Sequence, residues 1–299
     1  MMQMFKGVLL LAVAFQVATG SQPTFRSNVS VVRVAAVARD HKGRFVPGLV
    51  ARDFEVFDDG KPRAISDFRQ DSAALSVALL FDVSGSMQGQ LAQAREAASL
   101  VLGALEPRDE AAVFRFDTGL EEAKPFTEGL KTLPPSMATV VPFGATSLHD
   151  AIAKTAERAA ARDGRRRAVV VFTDGNDNAS RLTPAEVSGI ASAIDVPVYI
   201  VGVVSALDDP ASETATASAE HSPLTGAVAN LAAWTGGQAF VVSSTPQRRA
   251  VARQIVDEMR HQYLIAIESS AKPGWHRLTV RVRNRDLTVR ARSGYIVGQ

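Results

Sequence analysis

Asp82, Ser84 and Ser86 occupy alternate positions of the segment Phe81-Asp82-Val83-Ser84-Gly85-Ser86-Met87. The apolar run from Leu75 to Phe81 ends at this segment, and a helical pattern follows it. A loop in that position lies at the carboxyl edge of a sheet, where open α/β folds bind their ligands. The alternation can aim three oxygens at one point, and Gly85 relieves the crowding of a tight loop. Hard cations such as Mg²⁺ select oxygen donors of this kind. Two other segments end at the same predicted edge: Gly144-Ala145-Thr146-Ser147-Leu148 ahead of a helix, and Val170-Val171-Phe172-Thr173-Asp174-Gly175 after a strand. Together the three could complete a discontinuous cation site. A plainer reading makes these Asp, Ser and Thr residues helix caps, which leaves their convergence on one edge unexplained.

D-x-S-x-S, a separate threonine and a separate T-D-G, in that order, resemble the metal-ion-dependent adhesion site of the von Willebrand factor type A (VWA) family. By that resemblance Asp82, Ser84, Ser86, Thr146 and Asp174 are the metal ligands. The hydroxyls would coordinate directly, with one or both aspartates acting through water. The resemblance implies Mg²⁺, with Mn²⁺ or Ca²⁺ as alternatives. A neutral hydroxyl set leaves such an ion short of negative charge, so an Asp or Glu carboxylate from a protein partner fills an open position. The implied function is a divalent-cation-dependent protein-binding module for adhesion or scaffolding. Asp177, within Asn176-Asp177-Asn178, is either a further acid beside the cation or a plain loop residue. His149 reads as a solvated first-turn histidine rather than a ligand or base, and Asp150 as the acid of a capping box with Ser147.

The flanks extend the resemblance. Gly48-Leu49, Asp53-Phe54-Glu55-Val56 and Asp59-Gly60-Lys61 upstream, with Tyr263-Leu264 and Arg290-Ala291-Arg292-Ser293-Gly294-Tyr295 downstream, are similar to the bacterial VWFA-related proteins catalogued in acidobacteria. That likeness covers nearly all of the expected mature chain.

Positioning these residues requires short, solidly apolar strands alternating with amphipathic helices, the pattern of a parallel sheet covered on both faces. Leu75 to Phe81, Ala111 to Phe116, Ala168 to Phe172 and Val196 to Val203 are the predicted strands. Leu91, Ala94, Ala98, Val101 and Leu105 recur at helical spacing, and a later helix begins at Thr245-Pro246 and carries Val251, Ile255 and Met259. On either side the chain turns to β patterns: Val29 to Val34 and Phe54 to Phe57 upstream, Tyr263 to Glu268, Arg277 to Arg283 and Asp286 to Arg292 downstream. The predicted fold class is therefore α/β, a doubly wound, mostly parallel, Rossmann-like sheet with an accessory β-sandwich-like module built from the N- and C-terminal flanks. The expected division is a signal peptide over 1–20, a β flank over 21–72, the VWA domain over 73–262 and a second β flank over 263–299.

The chain has 299 residues, 46% hydrophobic, with 33 basic and 31 acidic side chains. That near balance lacks the one-sided field of nucleic-acid binders. Lys6 and the apolar stretch Gly7 to Val17 before Ala18-Thr19-Gly20 read as a cleavable signal, too short to span a bilayer. The expectation is a secreted or periplasmic protein with no transmembrane segment after signal cleavage. There is no cysteine for disulfides or lipid attachment. Enzyme motifs are missing: no G-x-S-x-G surrounds Ser84 or Ser86, and neither a phosphate-binding G-x-x-x-x-G-K-[ST] loop nor H-E-x-x-H occurs. A hydrolase that begins D-x-D would need an acid where Ser84 stands, so the chain is read as a non-enzyme. The competing readings are a structural envelope component whose metal only stabilises the fold, and a hydrolase. Arg165-Arg166-Arg167 is expected at a solvated strand entrance, and Trp234 and Trp275 are expected to pack. The low-complexity stretch from Ala206 to Pro223 is expected to form a long mobile loop, either a border of the partner surface tuned by Asp208 and Asp209 or a tolerated insertion with no role.

Overall fold

The computed structural model describes residues 31–70, 73–193, 195–205, 224, 226–270 and 272–297. The signal expected over 1–20 and the loop expected from Ala206 to Pro223 lie outside the described residues. In chain order the elements are β1 (Val31–Arg39), β2 (Phe54–Asp58), β3 (Lys61–Arg63), β4 (Ile65–Arg69) and β5 (Leu75–Asp82). Next come α1 (Leu91–Ala104), β6 (Glu110–Phe116), β7 (Leu120–Glu128), α2 (Leu148–Ala160), β8 (Arg166–Thr173), α3 (Pro184–Ala193) and β9 (Val198–Val203). The chain finishes with α4 (Ala227–Trp234), β10 (Ala239–Val242), α5 (Thr245–Arg260), β11 (Tyr263–Glu268), β12 (Gly274–Val282), β13 (Thr288–Ala291) and β14 (Gly294–Val297).

The central sheet runs β10-β9-β8-β5-β6-β7. Its strands are parallel except β7, which returns antiparallel beside β6. Side-chain alternation splits the core in two. Leu75, Val77, Leu79 and Phe81 of β5 face α1 and α5, whereas Ala78 and Leu80 face α2, α3 and α4. Both faces of β5 are buried along its whole length, which explains why it is apolar apart from Ser76 and the terminal Asp82. The connection from β5 passes through α1 to β6 on one side, and that from β8 passes through α3 to β9 on the other. Strand order thus reverses between β5 and β8, the position at which such sheets open a crevice. Two of the three predicted site segments leave from these two strands, and the third, with Thr146, leads into α2.

The flanks form two antiparallel sheets, β13-β1-β11-β4 and β14-β12-β2-β3. Each draws strands from both ends of the chain, so neither flank closes a sheet alone. Val34, Ala36, Tyr263, Ile265 and Ile267 from one sheet pack on Phe54, Val56, Leu278 and Tyr295 from the other. The Asp58-Asp59-Gly60 signal becomes the β2–β3 turn, with φ of 49° at Asp59 and 78° at Gly60, the left-handed pair of a tight hairpin. The sandwich is locked to the α/β layer by Glu258 of α5, fully buried, which accepts from Arg39 of β1 at 2.5 Å and pairs with Arg290 of β13.

Three local expectations need correction. The helix α5 is capped one residue earlier than expected: Ser244, not Thr245, forms the capping box with Gln247. Arg166 is buried rather than solvated, its guanidinium donating to the carbonyls of Met259 at 2.8 Å and Arg260 at 3.0 Å. These are C-terminal carbonyls of α5, which lack helical partners and attract cations. The strand β7 had no counterpart in the expected strands. Its charged, proline-containing sequence Leu120–Glu128 suits an edge strand, where a missing donor and exposed charges are tolerated.

Candidate metal centre

Asp82 ends β5 and Thr173 ends β8, in register because Phe81 pairs with Phe172. The Asp82 carboxylate is fully buried. It accepts the Ser84 backbone N–H at 3.0 Å and the Thr173 hydroxyl at 2.7 Å. Ser84 is equally buried and Ser86 is exposed, with their hydroxyl oxygens 3.1 Å apart. The alternation read from the sequence therefore brings the two serine oxygens to one spot at the mouth of the loop.

The Thr146 segment is tied to this loop through the backbone. Gly85 N–H donates to the Gly144 carbonyl at 3.0 Å, and Phe143 N–H donates to the Val83 carbonyl at 3.0 Å. Thr146 is buried, its N–H donates to Asn178 Oδ1 at 2.8 Å, and its carbonyl accepts from Asn178 and Ala179. Asp174 follows Thr173 and is half-buried, its Oδ1 accepting the Asn176 N–H at 3.0 Å. The loops carrying Asp82, Ser84, Ser86, Thr146 and Asp174 thus meet at one edge of the sheet, at the reversal between β5 and β8.

Burial pushes the Asp82 carboxyl up to about 6, against the hydrogen bonds from Ser84 and Thr173, and the negative charge of Asp174 adds to the rise. Among the described residues, no basic side chain forms an ion pair with Asp82 or Asp174. The centre therefore presents buried negative charge, neutral hydroxyls and no protein counter-ion. That donor set fits a small divalent cation. Mg²⁺ at about 2.1 Å from its ligands places adjacent octahedral oxygens about 3.0 Å apart, close to the spacing of the two serine hydroxyls.

Asp177 serves the scaffold directly. Its Oδ2 accepts the His149 backbone N–H at 2.9 Å and lies 3.0 Å from His149 Nδ1. Burial works against ionisation of Asp177, but the bonds from Ser180 and His149 outweigh it and hold its carboxyl below the ordinary aspartate value. Asp150 is not the acid of a capping box. Ser147 makes no side-chain cap bond, and Asp150 Oδ1 instead accepts the N–H groups of Arg181 and Leu182 at 3.1 and 2.9 Å. Asp177, Asn178 and Asp150 together staple the loop after β8 to the start of α2. Such long-range partners carry no sequence signal beyond a run of turn-forming residues.

A second group, unforeseen from sequence, lies in the sandwich. Ligand atoms of Asp58, Asp59 and His276 fall within 4.8 Å of one another and could hold a metal ion. Its groups already have protein partners. Asp58 pairs with Arg63 at 2.6 Å and accepts from Tyr295 at 3.1 Å, while His276 Nε2 lies 2.7 Å from the Lys272 carbonyl. As it stands, the group is a closed ion-pair network joining β2, β12 and β14.

The profile of the von Willebrand factor type A domain family matches residues 77–176, which include all five predicted ligands. No curated protein matches the chain. Similar solved structures include BatB from Bacteroides thetaiotaomicron, at 19% identity and a TM-score of 0.49, spanning 62% of this chain and 98% of that one. A von Willebrand factor type A protein from Catenulispora acidiphila shares 13% identity over 92% of this chain and 76% of its own, with a TM-score of 0.48. The open conformation of the pilus adhesin SpaC from Lactobacillus rhamnosus GG shares 9% identity over 87% and 47%, with a TM-score of 0.45.

Proposed function

From the premise that this chain carries a von Willebrand factor type A domain, we propose that it is a divalent-cation-dependent protein-binding module of the bacterial envelope or exterior. In this reading Asp82, Ser84, Ser86, Thr146 and Asp174 hold Mg²⁺, with Mn²⁺ or Ca²⁺ as substitutes. The observation that carries it is the pairing of a fully buried, uncompensated Asp82 with Asp174 and converging hydroxyls at one sheet edge. A bound divalent ion supplies an electrophilic position for an oxygen ligand from outside. Exposed Ser86 lies on the accessible side of the site, and buried Asp82 and Ser84 form its inner part.

A protein partner is favoured by the apolar surface beside the site. Val141 and Phe143, on the segment leading to Thr146, are 79% and 80% exposed. Large apolar side chains left in water beside a polar centre are common anchors at protein interfaces. An acidic side chain of the partner would meet the cation while a neighbouring apolar group covers Phe143.

The test is capture of partners from the exported proteome by wild type and Asp82→Ala, each with Mg²⁺ and with chelator. Proteins retained only by wild type with Mg²⁺ support the reading. Retention indifferent to both changes overturns it. If Asp82→Ala lowers the melting temperature sharply yet leaves every interaction intact, the ion only stabilises the fold.

A further inference from the structure

The chain has two tryptophans, and both line one cleft on the seam between the α/β layer and the sandwich, formed by Ala185, Ser188, Trp234, Trp275, Arg277 and Ser293. Its volume is about 450 Å³, within the usual range for a small-molecule site. Close packing of backbones builds the seam. A Cβ on Gly189 of α3 would fall 2.7 Å from Ile296 Cδ1 of β14, and one on Gly294 would fall 2.2 Å from Trp275 Cζ2. Glycine at these two positions lets α3 reach the sandwich and lets the indole of Trp275 lie over the β14 backbone. Trp275 is nevertheless 49% exposed, an uncommon state for the largest apolar side chain in a protein with a well-filled core.

Two further observations mark the cleft as a site rather than a packing defect. Ser188 is 2% exposed, and its hydroxyl oxygen has no hydrogen-bond partner among the described residues. The buried Ser293 hydroxyl, contributed from the sandwich side, is likewise unpartnered. Buried hydroxyls are ordinarily satisfied, so each module leaves one polar group unsatisfied on a residue that lines the cleft. On the exposed side stands Arg277, whose guanidinium forms no ion pair among the described residues.

We propose that this cleft binds a small aromatic carboxylate, with the ring against the two indoles, the carboxylate on Arg277 and a polar ring substituent on Ser188 and Ser293. Flat π-surfaces select a flat ring. A guanidinium at the mouth selects a carboxylate through paired N–H donors. The unpartnered hydroxyls add a preference for a substituent that can hydrogen-bond. This site is separate from the cation edge and does not depend on the function proposed for it.

The probe is 4-hydroxybenzoate added to the full chain, followed by tryptophan fluorescence and, in parallel, by calorimetry. Because both tryptophans border the cleft, binding registers directly as a saturable change in emission. Arg277→Gln, at an exposed position, keeps the melting temperature and weakens binding about tenfold or more, the expected loss for a charge-assisted contact. Ser188→Ala weakens it less. The charge-reversed 4-hydroxybenzamidine and the non-aromatic glucuronate bind at least tenfold more weakly than 4-hydroxybenzoate. The absence of saturable binding up to millimolar probe by both methods overturns the proposal. So does binding unaffected by Arg277→Gln, or a preference for the amidine or for glucuronate.

Discussion

Among single residues, Asp82 carries the sharpest consequence of the geometry. The rise of its carboxyl from 3.8 to about 6 corresponds to roughly 3 kcal/mol against the ionised form in the folded state. Asp82→Asn removes that charge while keeping an oxygen to accept from Ser84 and Thr173. In chelator, the variant is expected to melt no lower than wild type; in Mg²⁺, only wild type should gain melting temperature. Equal Mg²⁺ stabilisation of both proteins would remove Asp82 from the site. Glu110 illustrates the opposite sign. Burial alone would raise its carboxyl, but the bonds from Arg162 and Ser76 prevail and hold it below the ordinary value of 4.5. An acid with a depressed folded-state value stabilises the fold above its unfolded value, and this contribution is lost as pH falls through the folded one. Wild type should therefore lose urea resistance more steeply than Glu110→Gln as pH drops below about 4.5. The two curves should approach one another at the acid end. The identity of the candidate ligands was legible in sequence because D-x-S-x-S and T-D-G are local; the roles of Asp150, Asp177 and Asn178 were not, since their partners lie about 30 residues away.

Whole elements inherit their positions from such tethers. The start of α2 is held by Asp150 reaching the loop after β8, not by a cap from Ser147. Asp150→Ala should cost about 1.5 to 3 kcal/mol, the range for hydrogen bonds to a charged group. Ser147→Ala should stay within about 0.5 kcal/mol by comparison, as for a side chain outside any cap or network. Chemical denaturation of the two variants in chelator distinguishes them, and a larger loss in Ser147→Ala would restore the capping box. Strands with two buried faces, such as β5 and β8, were plain in sequence because each carries an uninterrupted apolar run, Val77 to Phe81 and Ala168 to Phe172. The edge strand β7 was hidden by its charges, and its pairing with β6 is interrupted by register shifts. The run Arg165-Arg166-Arg167 misled for a related reason: charge type says nothing of whether a helix C-terminus stands nearby to receive it.

At the scale of the whole molecule, Glu258 joins the two layers by gathering Arg39 from β1 and Arg290 from β13 around one buried carboxylate. Glu258→Ala strands two guanidiniums at the seam and should cost about 3 to 5 kcal/mol. The urea midpoint should fall sharply, with intrinsic fluorescence reporting the change because both tryptophans border the same seam. An unchanged midpoint would mean that the two layers dock through apolar contact alone. Periodicity determined that there would be an α/β layer between β flanks, because apolar spacing is a property of neighbours in the chain. Local motifs likewise determined which oxygens could serve a cation. Only the tertiary structure decided that each sandwich sheet interleaves strands from both ends, and that Asp82 is buried beside Thr173 with no basic partner among the described residues. It also decided that two tryptophans 41 positions apart share one cleft. Strand pairing across the length of a chain, and the burial that follows from it, depend on which surfaces meet, and a linear pattern does not record that.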